Sequence, residues 1–483
     1  MNKETLSIFL PLCAAIIIAT AFFILRTPAI MPYVIMLLFL SISPLLFRYP
    51  HHAFLALLIL RNIADVMSDV PLISLGGMTI NLAGLIGLFF IGWSMWYFFQ
   101  FRPILLTRDL AFPAIFILIC TASVFTSLDP VKSAQDLIKF VNLVCIFIIA
   151  YDFCKTMPRY TALISVLASA IIIPATAGLV QLARGTGLSV DIQNRLMGTY
   201  VHPNSFAFAL VIAISSWVIL SFLASRQNPL ISPSDKKLMS RLSCLPYPLI
   251  LATLGILLLL TYTRGAWIGI AIILLAYFLC FHVKKTIIII ALIAFTVFAF
   301  PHISDMIFAA TGYDMTRSQV IQRLHPPSDE TDSFMWRLRS WKEVSVKLHG
   351  MPIFGYGPAM YAQVRESTVS YLTDIGTEAH NDYLRLALET GYLGAASYFL
   401  FFIANLIQCI QGVRTARFLL DKKIYIVVAA TITAFLIMSI SDNILRSTPV
   451  NWLLWALMGG TTGMIHAKKH EAQRLLNQLS ISA

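Results

Sequence analysis

Charge is what this sequence has least of. Asp, Glu, Lys and Arg make up 12% of its 483 residues, while 58% are hydrophobic and the mean hydropathy is +0.80. Soluble chains carry roughly twice that charged fraction, so a soluble globular protein is excluded. Acidic residues are scarcer than basic ones, 23 against 35, for a net charge of +12. The excess does not point to nucleic acid, because the basic residues lie mostly in short loops between apolar runs, a mark of membrane topology. Cysteines are few, and Cys13, Cys120, Cys145, Cys154, Cys244, Cys280 and Cys409 all fall in apolar runs or in loops assigned below to the cytoplasm. Structural disulfides are therefore not expected. No internal repeat relates the two halves, which counts against a transporter or lipid flippase.

What is present is apolar sequence in lengths near the ~20 residues that cross a bilayer. Candidate spans are 6–25, 29–47, 53–69, 82–99, 110–126, 136–152, 161–183, 205–224, 247–263, 265–282, 286–300, 386–408, 424–440 and 449–466. The expected fold is all-α: a polytopic transmembrane helical bundle, one integral membrane domain over 1–483, with about 12–14 spans. The N-terminal M-N-K-E-T resembles a signal peptide but lacks a small-residue cleavage site, so it is read as an uncleaved first helix. Basic loops, among them Arg102 with Arg108, Lys236 with Lys237, Arg414 with Arg417 and Lys468 with Lys469, alternate to one side. That side is expected to be cytoplasmic and to hold both termini, including a tail at 467–483. The opposite side carries the 185–204 loop, the Arg264 corner and one long loop at 301–385. No ATP or nucleotide sugar is available there, so any reaction needs a donor that is already activated.

Polar residues collect on that exterior side. In N-R-L-M-G-T-Y-V-H-P-N-S (194–205), Pro203 suits the first turn of a helix, with His202, Asn204 or Ser205 at its cap. Arg195, seven residues before His202, would by itself be a headgroup anchor. Arg264, in T-Y-T-R-G-A-W, is pinned between two apolar runs at the exterior interface, and Gly265 permits a close backbone approach. Within the long loop, Phe334, Leu338, Trp341, Val344 and Leu348 repeat at helical spacing, predicting an amphipathic helix on the membrane interface with an aromatic anchor. M-P-I-F-G-Y-G-P (351–358) then ends it in a rigid turn. In the stretch Gly376–Gly394, Thr377 is the expected cap of the next helix, with His380, Tyr383 and Leu384 on one face. An imidazole with an ordinary pKa of about 6.5 can exchange protons near water, although a lone interfacial His is weak evidence of chemistry. Two intramembrane pairs, Arg61 with Asp65 and Asp136 with Lys139, read as structural ion pairs. The acidic run Asp329–Asp332 reads as solvated, and no metal site is expected.

W-R-L-R-S-W followed by P-I-F-G-Y-G-P and H-N-D-Y-L-R-L-A-L-E-T-G-Y-L-G, with H-P-N and T-R-G-A upstream, resembles the O-antigen ligase and O-antigen or exopolysaccharide polymerase superfamily. The resemblance runs from about Arg195 to Gly394. It implies metal- and cofactor-free transfer of a glycan from undecaprenyl diphosphate to a sugar hydroxyl, outside the bacterial inner membrane. Chemistry agrees: two guanidiniums can fork the oxygens of a diphosphate leaving group, and an imidazole can take the acceptor proton. Arg195 and Arg264 are the candidate pair, His380 the candidate base, and His202, Asn381 and Arg385 further candidate substrate contacts. Attack opposite the diphosphate would invert the anomeric centre. The chain's length favours a polymerase, with a lipid-linked acceptor, over a ligase acting on lipopolysaccharide core. A protein O-oligosaccharyltransferase is the remaining alternative within the class.

Overall fold

A computed structural model of the chain describes residues 44, 46–65, 71–75, 78–103, 110–190, 193–224, 244–281, 333–366 and 378–482. The expected runs 6–25 and 286–300, most of 29–47, Cys13, Thr377 and the Asp329–Asp332 stretch lie outside these residues. Among the described residues the chain is all-α apart from two short hairpins. In order come α1 (Pro50–Ala64), the hairpin β1–β2 (Pro71–Leu75, Met78–Asn81), α2 (Leu82–Phe101), α3 (Ala111–Phe125), α4 (Pro130–Phe153), α5 (Met157–Ser169) and α6 (Ile172–Arg184). The hairpin β3–β4 (Leu188–Val190, Gln193–Arg195), α7 (Pro203–Leu223), α8 (Tyr247–Leu260), α9 (Arg264–Phe281), α10 (Ser333–Ser345) and α11 (Tyr361–Glu366) follow. The last three helices are α12 (Asp382–Thr415), α13 (Leu419–Met438) and α14 (Thr448–Ser482).

Among the described residues five stretches are long and apolar enough to cross a membrane: α2, α7, α9, α12 and the α5–α6 run. Two expected spans are shorter than a bilayer requires, since α3 has 15 residues and α8 has 14. The expected span 161–183 is broken at Ala170–Ile171. Pro174 explains the break: it has no N–H for the carbonyl four residues back, and its ring crowds that carbonyl.

The interior is built by close helix approach. α7 is enclosed nearly all round, with Phe206, Phe208 and Leu210 fully buried. Gly459 and Gly463 of α14 rest on the carbonyls of Phe147 and Tyr151 in α4, and a Cβ on either would sit 2.3 Å from that oxygen. This small-residue spacing lets the two backbones touch.

α12 carries the second device. At Gly391 the backbone leaves the helix (φ 72°, ψ 172°), in a region that favours glycine. The carbonyls of Leu388 and Glu389 are then open to outside donors. Tyr356 N–H donates to Leu388 O (2.9 Å), Gly357 N–H to Glu389 O (3.0 Å) and Ser123 Oγ to Glu389 O (2.9 Å). The P-I-F-G-Y-G-P segment is therefore more than the end of a helix. It plugs the break in α12 and ties it to the α3–α4 corner, where Ser133 Oγ donates to Pro358 O (2.7 Å).

Candidate active site

One end of the bundle gathers the start of α7, the α8–α9 corner, the start of α12 and the α13–α14 turn. Arg195, the last residue of the β3–β4 hairpin, reaches the α8–α9 corner. Its Nε donates to Thr261 O (2.8 Å), and its NH2 donates to Asn204 Oδ1 (2.7 Å) and Thr263 Oγ1 (3.1 Å). Asn204 is a relay: its Nδ2 donates to Asp442 Oδ1 at 2.6 Å. His380 Nδ1 lies 4.0 Å from the same Oδ1, longer than a hydrogen bond. Arg195, Asn204, Asp442 and His380 thus form one line across four segments of the chain.

His202 is the N-cap of α7, where its Nδ1 accepts from Asn204 N–H at 3.1 Å. That bond leaves Nε2 as the protonated nitrogen of the neutral ring. The residue is exposed to solvent on one side, while desolvation by its surroundings, then the Arg195 charge, push the pKa down to about 4. Arg264 opens α9 between Thr263 and Gly265, both of which touch this line. Gly265 does allow a close approach, but by a side chain: a Cβ there would stand 2.9 Å from Asp442 Oδ2.

Two expectations about the start of α12 need correction. The helix begins at Asp382, capped by Asn381, whose Oδ1 accepts from Leu384 N–H at 2.9 Å. His380 is therefore outside the helix and shares no helical face with Tyr383 and Leu384. Its φ is +46°, a region costly for a residue with a Cβ. Asp382 holds the α13–α14 turn beside it. Its N–H donates to Ser439 O (2.9 Å), and its Oδ2 accepts from Ile444 N–H (3.0 Å) and Leu445 N–H (3.3 Å).

Arg385 is engaged differently. Its Nε meets Glu389 Oε1 at 3.0 Å and its NH2 meets Asp136 Oδ2 at 3.3 Å, both carboxylates being buried. Lys139 also reaches Asp136, at 2.6 Å, and the expected Arg61–Asp65 pair is present at 3.2 Å. Asn381 acts as a cap in this structure. The residue missed by sequence reasoning is Asp442. Its one available signal was a lone carboxylate in S-I-S-D-N-I-L-R, between the last two apolar runs on the side expected to be exterior. Asn204 was noted only as a capping candidate, with no hint of the relay.

The expected helix is present as α10, and it continues into a 3-10 turn at Val346–Leu348. Its contacts face the protein more than was expected. Val344 is fully buried with Tyr361, Ala379 and Leu388, and the Trp341 indole N–H donates to Ala379 O at 2.7 Å. Among the described residues, no three His, Cys, Asp or Glu side chains cluster so as to hold a metal ion.

A family model described as O-antigen ligase matches residues 249–399. The matched segment holds Arg264, α10 and His380, whereas Arg195, Asn204 and Asp442 lie outside it. The match supports the resemblance to the O-antigen ligase and polymerase superfamily, and with it a role in glycan transfer. A search of curated proteins finds no match.

Proposed function

We propose that this chain transfers a glycan from undecaprenyl diphosphate to a sugar hydroxyl, by metal-independent inverting displacement, with His380 as general base. The observation that carries this is the line Arg195–Asn204–Asp442–His380, which sets a guanidinium at one end of a polar chain and an imidazole at the other. The acceptor oxygen attacks the anomeric carbon as His380 takes its proton. The bond from that carbon to the diphosphate breaks, and undecaprenyl diphosphate departs. Arg195 and Arg264 take up the charge growing on the leaving diphosphate. Asp442 stabilises the imidazolium that forms. The 4.0 Å gap suits a site without substrate, since catalytic hydrogen bonds often tighten only when the substrates are bound.

His202, neutral with its proton on Nε2, donates to a substrate oxygen in this proposal. Asn381 fixes the turn that presents His380, and Arg385 braces the helix behind it. The acceptor is taken to be a second lipid-linked repeat, as in a polymerase. An assay offering both a lipid-linked repeat and a lipopolysaccharide core tests that choice, and exclusive use of the core would replace it with a ligase.

The mechanism is tested with purified protein and polyprenyl-linked glycan. His380→Ala should lower transfer by roughly 10²–10⁴-fold. His380→Gln should be nearly as slow, since an amide keeps hydrogen bonding but cannot take a proton at neutral pH. A fully active His380→Gln protein, or wild-type transfer stopped by a chelator, would overturn the mechanism.

A further inference from the structure

α10 touches both halves of the candidate site through two side chains on one face. Arg337 and Trp341 are four residues apart, hence neighbours on the helix and about 6 Å apart along its axis. Trp341 Nε1 donates to Ala379 O (2.7 Å), and Arg337 NH1 donates to Ser441 O. Each therefore grips the carbonyl of the residue immediately before a member of the His380–Asp442 pair. The peptide unit is planar, so holding the oxygen of residue 379 also holds the nitrogen of residue 380. Rotation about the next bond, φ, then decides where the imidazole points. That angle is +46° at His380, a value that persists only where the surroundings impose it.

The same logic applies to Ser441 and Asp442. The helix carrying both donors is itself seated on the start of α12 through fully buried Val344. The spacing of two donors on one rigid helix thus sets the spacing of the imidazole and the carboxylate.

The geometry points to Arg337 and Trp341 as positioning residues for the proposed transfer: α10 is a crossbar that holds His380 and Asp442 in register. This assignment rests on His380 being the general base. Trp341→Phe keeps the ring but loses the donor. It should lower kcat by roughly ten- to a hundredfold, the scale of an ångström-level misplacement, with little change in the KM for the lipid-linked donor. Arg337→Met should do the same, and Arg337→Lys, which can still donate to a carbonyl, should recover part of the rate.

The decisive measurement repeats Trp341→Phe in a His380→Ala background, as single-turnover transfer with melting temperature recorded. A positioning residue that acts through His380 has nothing left to position there, so the second substitution should leave the residual rate unchanged. Equal losses in both backgrounds, with His380→Ala itself nearly inactive, would overturn the crossbar alone. So would a wild-type kcat in Trp341→Phe, or an Arg337→Lys protein no better than Arg337→Met. A His380→Ala protein with normal transfer would instead overturn the general-base mechanism, and the crossbar with it.

Discussion

Arg195 and Arg385 each join a carboxylate-bearing network at the same end of the bundle, and the two networks end differently. Around Arg385 the charges close on themselves. One guanidinium meets Glu389 and Asp136, and Lys139 adds a second cation to Asp136. Around Arg195 the charges are spaced by neutral groups. Asn204 stands between the guanidinium and Asp442, and a 4.0 Å gap separates that carboxylate from the imidazole. The ion pairs of the closed network join α4 to α12. The open network keeps a proton acceptor and a carboxylate in line but not bonded, so it can still respond to a ligand.

The largest expected effect comes from breaking the closed network. Arg385→Ala leaves Glu389 buried without its cation, and removing one partner of a buried pair typically destabilises by about 3–5 kcal/mol. The thermal midpoint in detergent should fall sharply. Transfer per folded molecule should fall much less if Arg385 acts as the brace proposed above and not as the substrate contact its motif suggested. If the protein melts normally but transfers nothing, Arg385 belongs with the open network and the contrast fails.

Asp442→Asn probes the open side. An amide can still accept from Asn204, so folding should persist while stabilisation of the imidazolium is lost. Transfer should drop by about 10²-fold, within the usual range for acid–base assistance. An unchanged rate would reduce Asp442 to a structural carboxylate.

Each of these networks was legible in the sequence only in part. Arg195, Arg264 and His380 stood out as candidates because they fall in motifs that resemble the superfamily, on the side expected to be exterior. The pairs Arg61–Asp65 and Asp136–Lys139 were legible because a helix makes residues three or four apart neighbours. Asp442 was not, since its partners Asn204 and His380 are 238 and 62 positions away and no local periodicity links them. Nor was the role of α10, because a backbone carbonyl accepts from a donor regardless of its own side chain. The helix count was harder still. Pro174 and the glycine break at Gly391 both act inside runs whose hydropathy is uninterrupted.

A smaller effect follows from His202. Its pKa in the folded chain is about 4, below the ordinary 6.5 of an unfolded imidazole, so the unfolded state binds the proton more readily. Well above pH 6.5 the ring is neutral in both states and contributes no pH dependence. As pH falls from 6.5 towards 4, stability should decline, with the slope moderated by the residue's exposure to solvent. His202→Gln should flatten that part of the midpoint-against-pH curve, and an unaltered curve would place the ring outside the cluster's field.

The smallest effect is expected at Lys139, and it tests whether the closed network is closed by Arg385. Lys139 reaches Asp136 at 2.6 Å, nearer than Arg385 does at 3.3 Å, so distance alone would rank it first. Exposure reverses that order: the Lys139 side chain is 55% exposed, the Arg385 side chain 13%. An ammonium in contact with water or headgroups is screened, and exposed pairs are commonly worth about 0–1 kcal/mol. The enclosed guanidinium has no such alternative partner, so the carboxylates depend on it. Lys139→Ala should therefore shift the thermal midpoint only slightly, and the shift should shrink further at high salt. Arg385→Ala should be large and nearly salt-independent. If Lys139→Ala proved as costly as Arg385→Ala, Asp136 would be neutralised from the surface and not from within. The cluster around Arg385 would then be open on one side, like the one around Arg195.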